Sequence, residues 1–188
     1  MNRKSRVSNV VVVGGMLIGL VACNGQKWSE QQVDSFMLVT QKEGPTLSYS
    51  PQSGVKLLTE DGYAFKDLNR NDSLDAYEDW RLTPQERAAD LASKLSKEEI
   101  AGLMLYSSHQ AVPSAELTED QKKFLSKDHL RAVLITSVES PRTAAQWNNR
   151  MQAFIEGLDH GIPANTSSDP RHEAKATDRK STRLNSSH

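Results

Sequence analysis

The sequence lacks several features that mark common classes of protein. It has one cysteine among 188 residues, so no disulfide can form within the chain. The formal net charge is −1, which gives no electrostatic basis for binding nucleic acid, and no nucleic-acid partner is predicted. Hydrophobic residues make up only 37% of the chain, and both ends are poor in them. A packed core is therefore expected only in the middle of the chain.

The longest apolar run lies at the N-terminus and is typical of a bacterial secretion signal. Basic residues within 2–6 precede an apolar stretch, Val10–Ala22, that is too short to span a membrane comfortably. The stretch ends in Leu-Val-Ala-Cys23, which resembles a lipobox, the signal after which the cysteine is lipidated. We predict a lipoprotein signal peptide over 1–22 and a lipid on Cys23. The protein is then anchored to a membrane of the cell envelope, on its periplasmic or outer-membrane face. The alternative is a cleaved signal with a cysteine there by chance.

Both flanks of the middle region look unstructured. Residues 23–64 are predicted to be a tether and extended segment, polar and with little periodicity as far as about Ser50. Residues 178–188, DRKSTRLNSSH, have one apolar residue and no periodicity, as a solvated tail would. They are also, letter for letter, a translation of a widely used sequencing-library adapter. We interpret these residues as an artefact that arose because the reading frame ran from a short DNA fragment into its adapter, and we exclude them from the fold.

Capping residues and apolar spacing predict four helices in the middle region. They begin after Thr83, Ser96, Thr118 and Ser140, and the first three end near Leu95, Tyr106 and Ser126. The side chains expected to be buried are Ala88, Leu91, Ala92 and Leu95 on the first helix; Ile100, Leu103 and Met104 on the second; and Ala144, Trp147, Met151, Phe154, Ile155 and Leu158 on the fourth.

Two apolar segments, His129–Thr136 and Ile162–Asn165, read as buried strands on either side of the fourth helix. Strand, helix and strand form a βαβ-like unit. The cluster SSDPRH, Ser167–His172, follows the second strand, where functional side chains gather in barrels of β and α units. It places a carboxylate, a guanidinium and an imidazole within four residues. A ligand site and a purely structural ion-pair cluster both remain open at this stage.

An acidic segment, DLNRNDSLDAYE, fits the twelve-residue calcium loop of an EF-hand, and we assign residues 65–79 to such a loop. The predicted ligands, in order of loop position, are Asp67, Asn69, Asn71, Ser73 through its carbonyl, Asp75 and Glu78. Position six, normally glycine at a sharp turn, is Asp72, which tolerates positive φ only at a cost and would weaken the site. The expected cofactor is a structural Ca²⁺ ion. The alternative is a solvated turn rich in Asp and Asn.

Two motifs resemble glycoside hydrolase family 3. The run Arg87-Ala-Ala-Asp90-Leu, with Glu98-Glu99 and Gly102-Leu-Met104 further on, is similar to the segment that opens the barrel of that family. Gly161-Ile-Pro163 followed by Asp169-Pro-Arg171-His172 is similar to the pattern G-I-P and D-x-x-H-G at its second strand. The resemblance covers roughly residues 65–172, and it departs from the pattern at Glu173, where the family has glycine.

This resemblance implies a retaining exo-glycosidase of the β-glucosidase or β-xylosidase type, acting on oligosaccharides or other β-glycosides. It implies an α/β fold, in which residues 80–177 are the opening βα units of a truncated (β/α)8 barrel. Asp169 is the implied sugar-binding carboxylate, able to hold two vicinal hydroxyls, and His172 the residue that assists it; Arg171 takes no implied role.

A retaining glycosidase needs a nucleophile and an acid/base, and the resemblance implies that both lie beyond this chain. A barrel takes about 250 residues, so we expect the chain as written to be inactive and marginally folded. The alternatives are a calcium-stabilised envelope lipoprotein that binds sugar without hydrolysis, and a structural lipoprotein. An enzyme requires further carboxylates downstream, whereas a binding lipoprotein should end soon after this region.

Overall fold

The computed structural model describes residues 25–107, 113–114, 116–135, 137 and 139–168. Its elements, in chain order, are β1 (Trp28–Val33), β2 (Phe36–Gln41), β3 (Leu47–Tyr49), β4 (Lys56–Glu60), β5 (Tyr63–Asp67), α1 (Pro84–Lys94), α2 (Lys97–Leu103), β6 (Tyr106–Ser107), α3 (Glu119–Ser126), β7 (Ala132–Ile135), α4 (Pro141–Glu156), a 3₁₀ turn (Asp159–Gly161) and β8 (Asn165–Ser168). None of the helices within these residues is long and apolar enough to cross a membrane.

The N-terminal region contains five strands, which corrects the expectation of a tether. β1, β2 and β3 form an antiparallel sheet in that order, and β4 and β5 form an antiparallel hairpin. Each of the two-residue turns, at Asp34 and at Asp61-Gly62, uses positive φ, as tight hairpins require. The amino-acid pattern offers little signal for these strands, because β1 is polar and mostly exposed. Its backbone pairing with β2 fixes it, without an alternating apolar face.

Aromatic packing connects this region to the segment before α1. The ring of Trp80 stacks on Phe65, with centroids 5.2 Å apart, and its indole N–H donates to the Ala64 carbonyl at 3.0 Å. Phe65 is fully buried. The hairpin of β4 and β5 therefore holds the chain at the point where it leaves the acidic loop.

The predicted βαβ arrangement is confirmed. β6, β7 and β8 lie side by side in that order, all parallel, and α4 connects β7 to β8. The core beneath the sheet consists of Leu117, Leu125, Leu130, Val133, Trp147, Met151 and Ile155. Parallel sheets need such cover because their connections place helices on the sheet faces. Whether these strands open a (β/α)8 barrel stays a prediction.

Two strand boundaries differ from the predicted ones for local reasons. β7 begins at Ala132 rather than His129, because His129 has a φ of 51° and breaks the extended backbone. The last strand begins at Asn165, where Ile162–Asn165 was expected. Gly161 turns with a φ of 57°, and Pro163 has no N–H to donate to a neighbouring strand. The strand therefore runs into Ser167 and Ser168, the first two residues of SSDPRH.

All four helices begin at the predicted caps. Thr83, Ser96 and Thr118 each accept a hydrogen bond in a complete capping box, and the Ser140 hydroxyl accepts from the Thr143 N–H. The predicted long helix ends at Glu156 with Gly157 as its C-cap, four residues before Gly161.

The expected burial of the first two helices is wrong. No residue of α1 is buried, although Ala88, Leu91 and Ala92 fall on one face. On α2, Ile100 is 41% exposed, and Met104 just beyond it is 82% exposed. Apolar spacing identifies the face that a helix offers for packing, but it does not supply an opposing surface. Leu91, Leu95 and Leu103 are half-buried, whereas Ile100 and Met104 stay largely uncovered in the part of the chain that the structure describes.

Candidate functional site

The acidic loop is wound around the carboxylate of Asp67. This side chain is fully buried, and its two oxygens accept the backbone N–H groups of Asn71 at 3.1 Å and of Asp72 at 3.0 Å. Those donors lie at loop positions five and six, so position one closes the first half of the loop. Asp72 has a φ of 57°, which agrees with the requirement for a left-handed residue at position six. Its own carboxylate points outward and pairs with Lys56 at 2.7 Å.

The second half of the loop is closed by Glu78. One carboxylate oxygen accepts the N–H groups of Leu68 at 2.7 Å and Asn69 at 3.3 Å, and the other accepts that of Asp75 at 3.1 Å. Glu78 is 5% exposed. Burial raises the pKa of the adjacent Tyr77 hydroxyl, and the Glu78 charge raises that pKa further. The residue at loop position twelve thus connects both ends of the loop.

Asp75 accepts hydrogen bonds from two other predicted ligands, Asn69 and Asn71. Its Oδ2 accepts from the side-chain amides of Asn69 at 2.6 Å and Asn71 at 2.9 Å, and its Oδ1 accepts from the ammonium of Lys94 at 2.9 Å. Burial alone would raise the pKa of Asp75, but the hydrogen bonds from Lys94 and the two amides outweigh burial and lower this pKa. Ser73 donates its N–H to the Asn71 side chain at 2.8 Å. The loop thus brings the six predicted residues into one hydrogen-bonded cluster.

The donor set fits a hard cation in its chemistry. Carboxylate, amide and carbonyl oxygens are the ligands that Ca²⁺ takes, usually six to eight of them. Within the described residues, however, no three His, Cys, Asp or Glu side chains are grouped closely enough to hold a metal ion. The two Asn amides also direct nitrogen, not oxygen, toward Asp75. In this arrangement N–H donors compensate the carboxylates, and an ion would require the amides to turn.

Polar side chains of helix α1 hydrogen-bond to the last turn of the loop. The N–H of Tyr77 donates to Asp90 at 3.0 Å, and the Arg87 Nε donates to the Tyr77 carbonyl at 2.9 Å. Lys94 bridges Asp75 and Asp90, with its Nζ 3.3 Å from the latter. The sequence motif contained Arg87 and Asp90 but gave them no role, and Lys94 was missed. Their spacing of three and four residues along one helix face was the available signal.

The strand-end cluster is described only in part. Ser167 and Ser168 lie in β8, and the Ser167 hydroxyl is 3.0 Å from the Tyr106 hydroxyl, two strands away on β6. The predicted sugar-binding residues Asp169 and His172 lie outside the described residues, as do Arg171, Cys23 and the segments 1–22 and 178–188. Their roles stay predictions.

Comparison with known proteins supports a relationship to glycosidases. No protein-family model matches the chain. The chain is 39% identical over 125 residues to a periplasmic beta-glucosidase/beta-xylosidase of Dickeya chrysanthemi, a match that takes in 63% of this chain and 19% of that protein. The chain therefore spans about a fifth of the length of the curated relative that it matches.

Proposed function

We propose that this chain is the N-terminal part of a retaining exo-glycosidase of glycoside hydrolase family 3, which hydrolyses β-glucosides or β-xylosides. The 39% identity to a beta-glucosidase/beta-xylosidase is the observation that carries the proposal. The parallel order of β6, β7 and β8 supports it, because consecutive parallel strands joined through helices are how a (β/α)8 barrel begins. The open apolar side chains of α2 fit a fold that continues beyond the described residues.

In this proposal Asp169 and His172 bind the sugar. The backbone of β8 ends directly before them, and the C-terminal ends of barrel strands are where ligands bind. An ionised carboxylate accepts hydrogen bonds from two vicinal hydroxyls, which is the requirement at a non-reducing-end subsite. The nucleophile and the acid/base belong to later strands, so the chain alone is expected to lack hydrolytic activity.

The test is to express the complete reading frame of the source gene beside the 188-residue chain. We expect the complete protein to hydrolyse aryl β-glucosides or β-xylosides and the shorter chain to give none. Asp169→Asn in the complete protein should lower kcat/KM by about 100-fold, whereas Asp128→Asn, exposed before β7, should leave it unchanged. Clear turnover by the 188-residue chain, or sugar binding by the complete protein without turnover, would contradict the proposal; the latter would favour the binding lipoprotein.

We also propose that the protein is lipid-anchored through Cys23 in the cell envelope. The relative's periplasmic location supports the compartment, and the lipobox-like sequence supports the anchor. Cells expressing the complete gene should carry the protein in the membrane fraction, and Cys23→Ser should release it into the soluble envelope fraction. A membrane-bound Cys23→Ser protein would contradict the anchor.

Finally, we propose that the acidic loop takes a structural Ca²⁺ ion. Its support is the spacing of Asp67, Asn69, Asn71, Ser73, Asp75 and Glu78, together with the positive φ at Asp72. Asn69 and Asn71 would present oxygen once their amides turn. Such a loop would fix the approach of the chain to Trp80 and α1. Calorimetric titration with Ca²⁺ should show one site that Glu78→Gln removes. The absence of bound Ca²⁺ in equilibrium dialysis at millimolar Ca²⁺ would rule the site out.

A further inference from the structure

Lys94 is the one residue of α1 that places a full positive charge on an inward-facing carboxylate of the acidic loop. Asp67 and Glu78 are satisfied by backbone N–H groups. Asp75 differs, because it receives an ammonium at one oxygen and two side-chain amides at the other. It is therefore the loop carboxylate whose compensation depends on groups that can move away.

The contact of Lys94 is partly shielded from water. The side chains of Lys94 and Asp75 are 29% and 19% exposed, and Asp90, on the turn before Lys94, is 24% exposed. Both carboxylates lie within 3.3 Å of the ammonium. A cation that joins two partly buried carboxylates interacts more strongly than an isolated surface pair, because less water screens it.

The contact between Lys94 and Asp75 also contributes much of the attachment of α1 to the loop. That helix buries no residue, so apolar packing does little to hold it. Its attachment to the loop consists of Arg87 on the Tyr77 carbonyl, Asp90 on the Tyr77 N–H and Lys94 on Asp75. Anything that displaces Lys94 from Asp75 therefore acts on the position of α1.

We propose that Lys94 is an internal counter-ion that takes the place of a metal cation at Asp75 and thereby holds α1 on the loop. The ammonium and a divalent cation are then alternative partners of the same carboxylate. The folded loop needs one of them, and the protein supplies Lys94 when no metal is bound. This inference rests on the proposed calcium site only for the second partner; the counter-ion role stands on the described contacts.

The test is hydrogen exchange of α1 amides in the full chain, in EDTA and then in excess Ca²⁺. In EDTA the α1 amides of the wild type should be protected, and Lys94→Met should speed their exchange by about tenfold. Lys94→Arg keeps the charge and should retain protection. Lys122→Met removes a helical lysine whose partner, Glu119, is not in the loop, and should leave α1 unchanged. Amides of α4, in the core, show in each sample whether the chain is folded.

The outcomes separate the two proposals. Restoration of α1 protection by Ca²⁺ in Lys94→Met supports both. Faster exchange in Lys94→Met that Ca²⁺ does not reverse supports the counter-ion and counts against the calcium site. Equal α1 exchange in wild type and Lys94→Met in EDTA overturns the counter-ion proposal, as would equal loss of protection in Lys94→Met and Lys94→Arg.

Discussion

The carboxylate of Glu156, at the end of α4, accepts the backbone N–H of Ser50 at 2.7 Å, from a position 106 residues away in sequence. Its other oxygen accepts from the ammonium of Lys66 on β5 at 2.8 Å. Glu156 is 8% exposed. One buried side chain thus joins the N-terminal strands to the parallel βαβ unit, and this contact makes the strands part of the same folded structure.

Removing this contact should destabilise the chain strongly. Glu156→Ala leaves the Ser50 N–H without its acceptor and the partly buried Lys66 ammonium with the Ser48 carbonyl but no counter-ion, which should cost about 3 kcal/mol in the free energy of unfolding. Urea unfolding of the complete protein, followed by circular dichroism, measures this cost, because the 188-residue chain is expected to be only marginally folded. Glu60→Ala, on an exposed position of β4, is the matched control and should change the free energy by less than about 0.5 kcal/mol. Similar values for the two variants would show that Glu156 does not join the two regions.

Two methionines test the difference between predicted and observed burial. The sequence pattern placed both Met104 and Met151 in the core, but Met151 is fully buried and Met104 is 82% exposed. Met151→Ala should lower the free energy of unfolding by about 2–5 kcal/mol, because it leaves a cavity beside Trp147. Met104→Ala should cost less than about 0.5 kcal/mol in the same urea experiment. A large cost at Met104 would mean that its side chain is covered in solution.

Gly44 should tolerate alanine much less well than Gly54, although both have positive φ. At Gly44, with a φ of 97°, an added Cβ would lie 2.4 Å from the ring of Trp80. That ring is held by its stacking on Phe65 and its hydrogen bond to Ala64, so it has little freedom to move. At Gly54 the nearest atom is 3.7 Å away, on the flexible side chain of Arg70.

Both substitutions carry backbone strain of about 1 kcal/mol. Gly44→Ala should exceed Gly54→Ala in lost stability by a further 1–3 kcal/mol, roughly the cost of overpacking. It should also shift the tryptophan fluorescence. Equal thermal shifts for the two variants would contradict the close approach of Trp80 to Gly44.

Acid should weaken the N-terminus of α2 through Glu99. Burial opposes its charge, but the Ser96 N–H at 2.8 Å and hydroxyl at 2.9 Å outweigh that and lower the pKa of Glu99. A depressed pKa in the folded state gives stability that is present above the ordinary glutamate pKa, about 4.3, and is lost as pH falls through the folded pKa.

The difference in unfolding free energy between wild type and Glu99→Gln should therefore be about 1 kcal/mol at pH 7 and shrink below pH 4. Urea unfolding across this pH range measures it. Glu98→Gln, an exposed neighbour, should show no such trend. A difference that stays constant from pH 7 to pH 3 would show that the Glu99 charge does not stabilise the cap.

The parts of the fold that sequence predicts well are those decided by local chemistry. The caps at Thr83, Ser96 and Thr118 mark helix starts because the backbone N–H groups there need acceptors from neighbouring residues. Positive φ at Asp72 followed from its position in the loop pattern. Partners distant in sequence were not predictable. Ser50 and Glu156 carry no pattern that relates them, and β1 is defined by a pairing partner and not by its own polarity.

The contacts in the candidate site also separate into those between residues close in sequence, which could be predicted, and those between distant residues, which could not. The acidic loop brings its six residues into one hydrogen-bonded cluster, because the chain that links them is short, and their role as calcium ligands stays a prediction. Lys94 reaches Asp75 from helix α1, at a separation of 19 residues, and no loop pattern includes it. The predicted burial of Ile100 and Met104 is wrong. An apolar helix face shows that the helix can pack, but the surface that would cover it is encoded elsewhere in the chain.

The most direct test of the central claim is the DNA sequence of the source organism downstream of the codon for Thr177. The proposal predicts an open reading frame that departs from DRKSTRLNSSH and continues through further βα units to a strand-end Asp and a second carboxylate, over a length comparable to that of the glycosidase relative. A frame that encodes DRKSTRLNSSH, or stops within a few tens of residues, would leave no place for a nucleophile. It would contradict the assignment of this gene product as a glycosidase.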